Sequence, residues 1–281
     1  MIKMRTHYEP FVLLAPGVVV LFVAFFVPIG YLCSYSFLVE QIDGTTKLGF
    51  GQYLRFFTDS YFWSVSERTL RLSLIITILC LILGFPLAYL MSRVSPRIRL
   101  WLTVLVILPL MTSVVIRTFG WLVLLGRGGP LTKVLSSLQL VRPDFSLMHT
   151  ETGIVIAMVQ VLLPFMTLTL LGVTSRIDKD LEEAARTLGY GFYGTIRHVI
   201  FPLSLPGVVS GSLLVFALSI SSFITPTLVG GLRLPVLAGS IYQQITSTLD
   251  WSFAAAESVI LLIAVLLIII PYTMFMRRGH G

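Results

Sequence analysis

Charged side chains are scarce in this sequence, and their scarcity excludes an ordinary soluble domain. Only 12% of the 281 residues are charged and 56% are hydrophobic, whereas a soluble domain carries about 25% charged residues. Most of the charges lie beside long apolar runs and not within them. The bilayer is therefore expected to be the main solvent of this chain.

Cysteine and histidine are also rare, which excludes further classes of site. Cys33 and Cys80 lie in or beside apolar runs, so we predict packing residues and neither a disulfide framework nor a metal site. The histidines are scattered over termini and loops: His7, His149, His198 and His280. The net charge of +7 is not gathered on one polar domain with interleaved aromatics. We therefore predict no nucleic-acid partner, no metal and no catalytic triad.

Six apolar segments are long enough to cross a hydrocarbon core of about 30 Å at a helical rise of about 1.5 Å per residue. Backbone polar groups in lipid must be satisfied within the segment, so each segment is predicted to be a helix. The sequence therefore predicts an all-α, polytopic membrane protein with six transmembrane helices in one domain, 1–281. The predicted spans are 11–32, 70–91, 98–125, 153–173, 206–229 and 257–276.

The Lys and Arg residues predict how these spans are oriented. Eleven lie on the side that contains both termini and the loops 92–97 and 174–205, and eight are spread over three longer loops on the other side. Because cytoplasmic loops are enriched in Lys and Arg, both termini are predicted to be cytoplasmic. The apolar run after Lys3 and Arg5 is too long for a signal peptide and lacks a cleavage site, so we predict a retained first span.

The predicted cytoplasmic loop 174–205 has the pattern of a short amphipathic helix. Gly189 follows its last periodic residue, where a helix-ending residue adopts positive φ. We predict that the apolar side rests on the bundle and that Glu182, Glu183, Lys179 and Arg186 present charge to a partner. Periodicity alone fits a linker on the membrane surface equally well. The apolar positions are Ile177, Leu181, Ala184, Ala185 and Leu188.

Residue identities in this loop add to the periodicity. Glu183-Ala184-Ala185, followed by Gly189, Val199 and Phe201-Pro202, resembles the EAA motif of ATP-binding-cassette importer permeases. Val199 and Phe201 replace the more usual Ile and Leu. The segments 202–231 and 117–121 resemble the polyamine branch of these permeases. The resemblance covers most of the chain and is weakest over 33–69.

The resemblance implies a type I importer fold and a permease subunit in a bacterial inner membrane. It implies two cytoplasmic ATPase subunits, a second and usually different permease subunit, and an extracytoplasmic solute-binding protein as partners, besides membrane lipid. The loop helix is then expected to dock into a cleft of the ATPase. The residues assigned to ATPase coupling by the resemblance are Glu182, Glu183, Ala184, Ala185, Gly189 and Pro202.

The loop also contains a glycine pattern typical of nucleotide sites, which we reject from its context. Gly189, Gly191 and Gly194 match GxGxxG, but they end a predicted helix and no strand precedes them. A P-loop needs Lys and then Ser or Thr after its last glycine, and here Thr195 and Ile196 follow. We predict no cofactor in this chain and no enzymatic activity, so that ATP is bound and hydrolysed by partner subunits.

Small residues in the fifth predicted span have two interpretations. Gly207-x-x-x-Gly211 is typical of close helix packing. Alternatively, hydroxyl groups hydrate a passing polar solute, which would make a translocation path of Ser219, Ser221, Ser222 and Thr225. Pro226 and Gly230-Gly231 are expected to break this helix near its outer end.

Arg117 is the one charge within an apolar run. A straight helix from Arg99 places it about 27 Å away, near the outer interface. We favour snorkelling to that interface over a role in the path.

An ion-coupled secondary transporter is the alternative function. It requires titratable groups near the bilayer midplane and often shows repeated halves, and neither is evident. An intramembrane enzyme requires catalytic groups within the spans, and the serines have no base nearby. The solute stays open. The resemblance favours polyamines, but the predicted spans contain no Asp or Glu to compensate a polycation apart from Glu257 at an outer boundary. Related branches of the family import iron, thiamine, opines or other small solutes.

Overall fold

The computed structural model describes residues 9–40, 46–142 and 145–278, which are mostly helical. The α-helices are α1 (Glu9–Tyr35), α2 (Gly51–Thr58), α3 (Ser60–Arg93), α4 (Pro96–Ile107), α5 (Val114–Leu125), α6 (Pro130–Ser137), α7 (Glu151–Thr174), α8 (Asp180–Thr187), α9 (Phe192–Thr195), α10 (Phe201–Ile220), α11 (Ile224–Gly230), α12 (Leu237–Gln243) and α13 (Trp251–Arg278). Turns of 3₁₀ helix occupy Leu108–Met111 and Gly231–Arg233, and π turns occupy Ile196–Ile200 and Gln244–Thr248. A short antiparallel pair joins β1 (Leu38–Glu40) to β2 (Thr46–Leu48).

Five described helices are long and apolar enough to cross a membrane alone: Leu14–Tyr35, Ser60–Arg93, Glu151–Thr174, Phe192–Ile220 and Trp251–Met274. Two bent pairs pass the same test only when their halves are taken together: Pro96–Met111 with Val114–Ser137, and Ile224–Arg233 with Leu237–Thr248. The all-α membrane class is confirmed. The number of six spans stays a prediction, because the described residues allow five to seven.

The third predicted span, 98–125, is not one straight helix. The helical segments on either side of Thr112 and Ser113 are bent by 93°. The break follows the 3₁₀ turn Leu108–Met111, which contains Pro109. Proline has no N–H for the helical ladder, and Thr112 then turns to an extended conformation with ψ 145°. Hydropathy identifies the apolar segment, but it contains no information on the angle between its two halves.

The fifth predicted span, 206–229, differs at both ends. Its helix begins at Phe192 and continues through α9, a π turn and α10 to Ile220, so the predicted loop 174–205 is shorter than expected. Pro202 is the second residue of α10, directly after the π turn. Pro226 does not break this helix, because α10 has already ended at Ile220. Pro226 lies in the first turn of α11, where an N–H has no intrahelical partner.

Two compact units share these elements. The first consists of the described residues of 1–60 and 241–263. In it Arg55 donates to Asp250 at 2.7 Å, and a cavity of about 590 Å³ is lined by polar groups that include Gln52 and Ser252. The second consists of 61–240 and the end of α13. It contains the residues that the sequence assigns to coupling and to the path.

Within the second unit, α10 packs along α7 through small residues. A Cβ added at Gly207 would lie 2.9 Å from Cγ2 of Val173, and one at Gly211 would lie 2.8 Å from Sδ of Met166. Real Cβ atoms do not approach neighbours so closely. Both glycines therefore permit the close helix approach that the packing interpretation predicts.

Candidate functional site

The segment between α7 and α9 carries the residues of the EAA-like motif on the two-turn helix α8. Its first turn is acidic, with Asp180, Glu182 and Glu183, and negative charge is favourable there because the N–H groups at a helix start carry partial positive charge. Oδ1 of Asp178 accepts the backbone N–H of Asp180 at 3.1 Å. These local interactions define where α8 begins.

The end of α8 is a Schellman motif at Gly189. The N–H of Tyr190 donates to the carbonyl of Ala185 at 3.1 Å, and the N–H of Gly189 donates to the carbonyl of Arg186 at 3.0 Å, which is the bond pair of this motif. Gly189 has φ +90°, as the sequence predicts. Among the residues that the structure describes, no atom lies within 4 Å of a Cβ built at Gly189. Glycine therefore serves the backbone conformation here and not a tight contact within the chain.

The exposed side of α8 differs from the predicted one. Ile177 and Ala185 are buried, whereas Leu181 and Leu188 are 45% and 79% exposed. The prediction that the whole apolar stripe rests on the bundle is therefore wrong. Exposed apolar side chains next to a carboxylate are typical of an interaction surface. We call these residues the outer face of α8: Leu181, Glu183, Ala184 and Leu188.

Glu182 lies on the opposite face of α8 and is only 7% exposed. Its carboxylate accepts hydrogen bonds from Nε of Arg93 at 2.5 Å and from the hydroxyl of Tyr89 at 3.0 Å. Nη2 of Arg93 forms an ion pair with the same carboxylate. The prediction that Glu182 presents its charge to a partner is wrong, because that charge is compensated within the chain.

The family model described as "Binding-protein-dependent transport system inner membrane component" matches residues 81–278. The match covers most of the chain and includes all of α8. The chain belongs to this family. It is thus a permease component of a binding-protein-dependent importer and a multi-pass inner-membrane protein, which decides against a secondary transporter.

Curated relatives and solved structures agree with this assignment. Spermidine/putrescine transport system permease protein PotB of Salmonella typhimurium strain LT2 is 34% identical over 258 residues, covering 91% of this chain and 89% of that protein. PotB of Escherichia coli strain K12 is 33% identical, with 91% and 93% covered. A bacterial ABC transporter involved in alginate import superposes with a TM-score of 0.76 at 19% identity, covering 98% and 96% of the two chains. The MetNI methionine ABC transporter gives 0.58 at 17% identity, with 76% and 94% covered. These two likenesses show the fold alone.

The hydroxyl residues predicted to line a path do not share one surface of this permease. Ser219 and Thr225 are buried, and the hydroxyl of Thr225 lies 3.0 Å from that of a threonine in α5. Oγ of Ser222 lies 3.7 Å from a methionine sulfur of α7. Ser221 is the exposed member. The path role therefore stays a prediction, and Ser221 is the residue at which it is best tested.

Arg117 of the permease makes a contact that neither predicted interpretation includes. Its Nη1 donates to the carbonyl of Pro109 at 2.8 Å, in the 3₁₀ turn where the third predicted span breaks. The straight-helix distance from Arg99 does not apply, because the break lies between them. The guanidinium satisfies a backbone carbonyl at the bend, which is a structural role.

Sequence reasoning missed Tyr89 and Arg93, the two residues of α3 that contact Glu182. The sequence marks Arg93 only as a charge on the predicted cytoplasmic side. The four-residue spacing of the two side chains indicates that they share a helix face. No local signal connects them to a carboxylate that lies 89 residues beyond Arg93 in the permease.

Proposed function

We propose that this permease subunit imports a small organic polycation of the polyamine class. It works with two cytoplasmic ATPase subunits, a second and different permease subunit and an extracytoplasmic solute-binding protein. ATP is bound and hydrolysed by the partner subunits, and this chain catalyses no covalent step. Both termini and α8 face the cytoplasm. The outer face of α8 is the observation that carries the proposal.

The outer face of α8 has the chemistry of a docking surface. Removing a leucine side chain from water stabilises a complex by about 1.5–3 kcal/mol when burial is complete, and Leu181 and Leu188 are both available for burial. Exposed aromatic rings follow directly, with Tyr190 at 43% and Tyr193 at 86%. Glu183 adds one charge that selects the register of a basic partner. The outer face of α8, which is apolar with a single carboxylate, is therefore better suited to burial in a cleft of another protein than to exposure to water.

Relatives and side-chain chemistry both support the polyamine class. The two PotB permeases, named for spermidine and putrescine, are 33–34% identical to this chain over 91% of its length. Within the first unit, the cavity of about 590 Å³ is lined by Asp250, Tyr35 and Trp251. Carboxylates and aromatic faces are the groups that attract ammonium cations. Asp250 is paired with Arg55 in this structure. An ammonium group of the solute would therefore replace the guanidinium of Arg55 as the partner of Asp250.

Purification from membranes in mild detergent tests the assembly. We expect an ATPase to co-purify, and we expect spermidine-loaded binding protein to raise the ATPase rate of the reconstituted complex. Glu183→Gln keeps the size of the side chain and removes its charge. It should lower that stimulation at least about tenfold, since truncating one partner of a buried charge pair costs about 2–5 kcal/mol.

The outcomes separate the function from the substrate. Absence of any co-purifying ATPase would refute the role of an importer subunit working with an ATPase. Stimulation by a different loaded solute, with none by spermidine or putrescine, would refute the polyamine class and leave the importer function intact.

A further inference from the structure

Docking of the outer face of α8 does not explain why Glu182 is buried. An ionised carboxylate is buried at acceptable cost only when cations and hydrogen-bond donors compensate it. Arg93 and Tyr89 supply those donors to Glu182, and Nη1 of Arg93 also donates to the carbonyl of Ile177 at 3.4 Å. Two side chains of α3 thus hold both α8 and the turn that precedes it.

The same face of α3 contacts the segments that follow α8. The ring of Tyr89 lies 6.3 Å from that of Phe192 at the start of α9, and the ring of Phe85 lies 5.6 Å from that of Phe201 at the start of α10. Phe85, Tyr89 and Arg93 are spaced four residues apart, so they occupy one face over successive turns. The chain from α8 to α10 is therefore aligned along a single stripe of α3.

The covalent route from α8 to α10 is less suited to transmitting movement. It passes through Gly189 and Gly191, and glycine permits the widest range of backbone conformations. By contrast, α3 runs for 34 residues, about 50 Å of helix. This helix is continuous through Pro86. A displacement passed to its end at Arg93 therefore acts on one unbroken helical span.

We propose that the pair Arg93–Glu182, supported by Tyr89, makes α3 the span that follows α8 when the ATPase moves it. These three are positioning residues of the coupling, and this inference rests on the proposed function. Glu182 then has a role distinct from that of Glu183, its neighbour, which faces outward.

The test compares variants in the reconstituted complex, with spermidine imported per ATP hydrolysed as the main readout. Arg93→Gln should lower this ratio about tenfold, because it removes the cation that compensates the buried carboxylate of Glu182. Tyr89→Phe keeps the ring next to Phe192 and removes one hydrogen bond, so it should lower the ratio about threefold. Arg97→Gln is the matched control, since it removes the same charge from an exposed position nearby and should match the wild type.

A double variant distinguishes positioning from general stability. Arg93→Gln with Glu182→Gln removes both charges, so its ratio should exceed that of Arg93→Gln alone. The amount of co-purified ATPase should stay unchanged in every variant. Two results would overturn the inference, provided that the wild-type complex is coupled. One is a wild-type ratio in both Arg93→Gln and Tyr89→Phe. The other is a loss of bound ATPase that accounts for the lower ratio. A wild-type complex without solute-stimulated hydrolysis would instead overturn the proposed function, and this inference with it.

Discussion

Replacement of Gly189 gives a direct test of the coupling loop, because its cost arises from one known cause. The residue has φ +90°, and a Cβ added there meets no atom of the described residues within 4 Å. Steric overlap therefore contributes nothing within the permease. What remains is the strain of a left-handed conformation, about 1–2 kcal/mol for an ordinary L-residue and more for a β-branched one.

These magnitudes predict a graded series at Gly189. Alanine should disfavour the native helix end about fivefold and valine about 30-fold, since one or two kcal/mol changes a conformational ratio by about 5–30. Asparagine tolerates the left-handed region and should stay near the wild type. The strain is relieved when the Schellman bonds to Ala185 and Arg186 open, which displaces Tyr190 and misdirects the loop.

The assay is the ATPase rate of the reconstituted complex with and without loaded binding protein. We expect stimulation to fall in the order wild type, Gly189→Asn, Gly189→Ala, Gly189→Val, while the spans insert normally. Gly191→Ser is the matched control, because φ there is −72° and serine is a preferred N-cap. In the part of the chain that the structure describes, no atom lies within 4 Å of the Cβ position of Gly191. Full stimulation in Gly189→Val would refute the strain argument. A severe loss in Gly189→Asn would show instead that a partner needs the open space.

Gly207→Ala should lower the free energy of unfolding in detergent by about 1–3 kcal/mol through overpacking against α7. Gly172→Ala is the control and should not lower it, because no described atom lies within 4 Å of a Cβ at that position. Thermal denaturation compares the two variants, and equal melting temperatures would exclude the close-packing account. Ser221→Leu should slow solute uptake without changing assembly, because the position is exposed, and normal uptake would remove the path assignment. A cysteine at Lys179 should react only with a reagent added from the cytoplasm and one at Thr46 only from outside; external labelling at Lys179 would reverse the predicted topology.

The membrane class and the local conformation of α8 follow from the amino-acid sequence alone. Apolar runs and the need to satisfy every backbone group in lipid leave helices as the available structure. The end of α8 at Gly189 is similarly local, because positive φ is a property of one residue and its neighbours in the chain. The family motif depends on identity and spacing, so it too is visible without coordinates.

The inward-facing side of α8 and the breaks in two spans depend instead on contacts between residues distant in the sequence. Periodicity ranks positions by their preference for water, so it placed Glu182 outside and Leu188 inside. The fold reverses both, because Arg93, distant in sequence, compensates the buried carboxylate, while the exposed leucine is left for a partner that the sequence of one chain does not contain. In the third predicted span, the helix bends at Thr112 and Ser113, and Arg117 donates to the carbonyl of Pro109 across the bend. The direction of a helix after a bend depends on what it packs against.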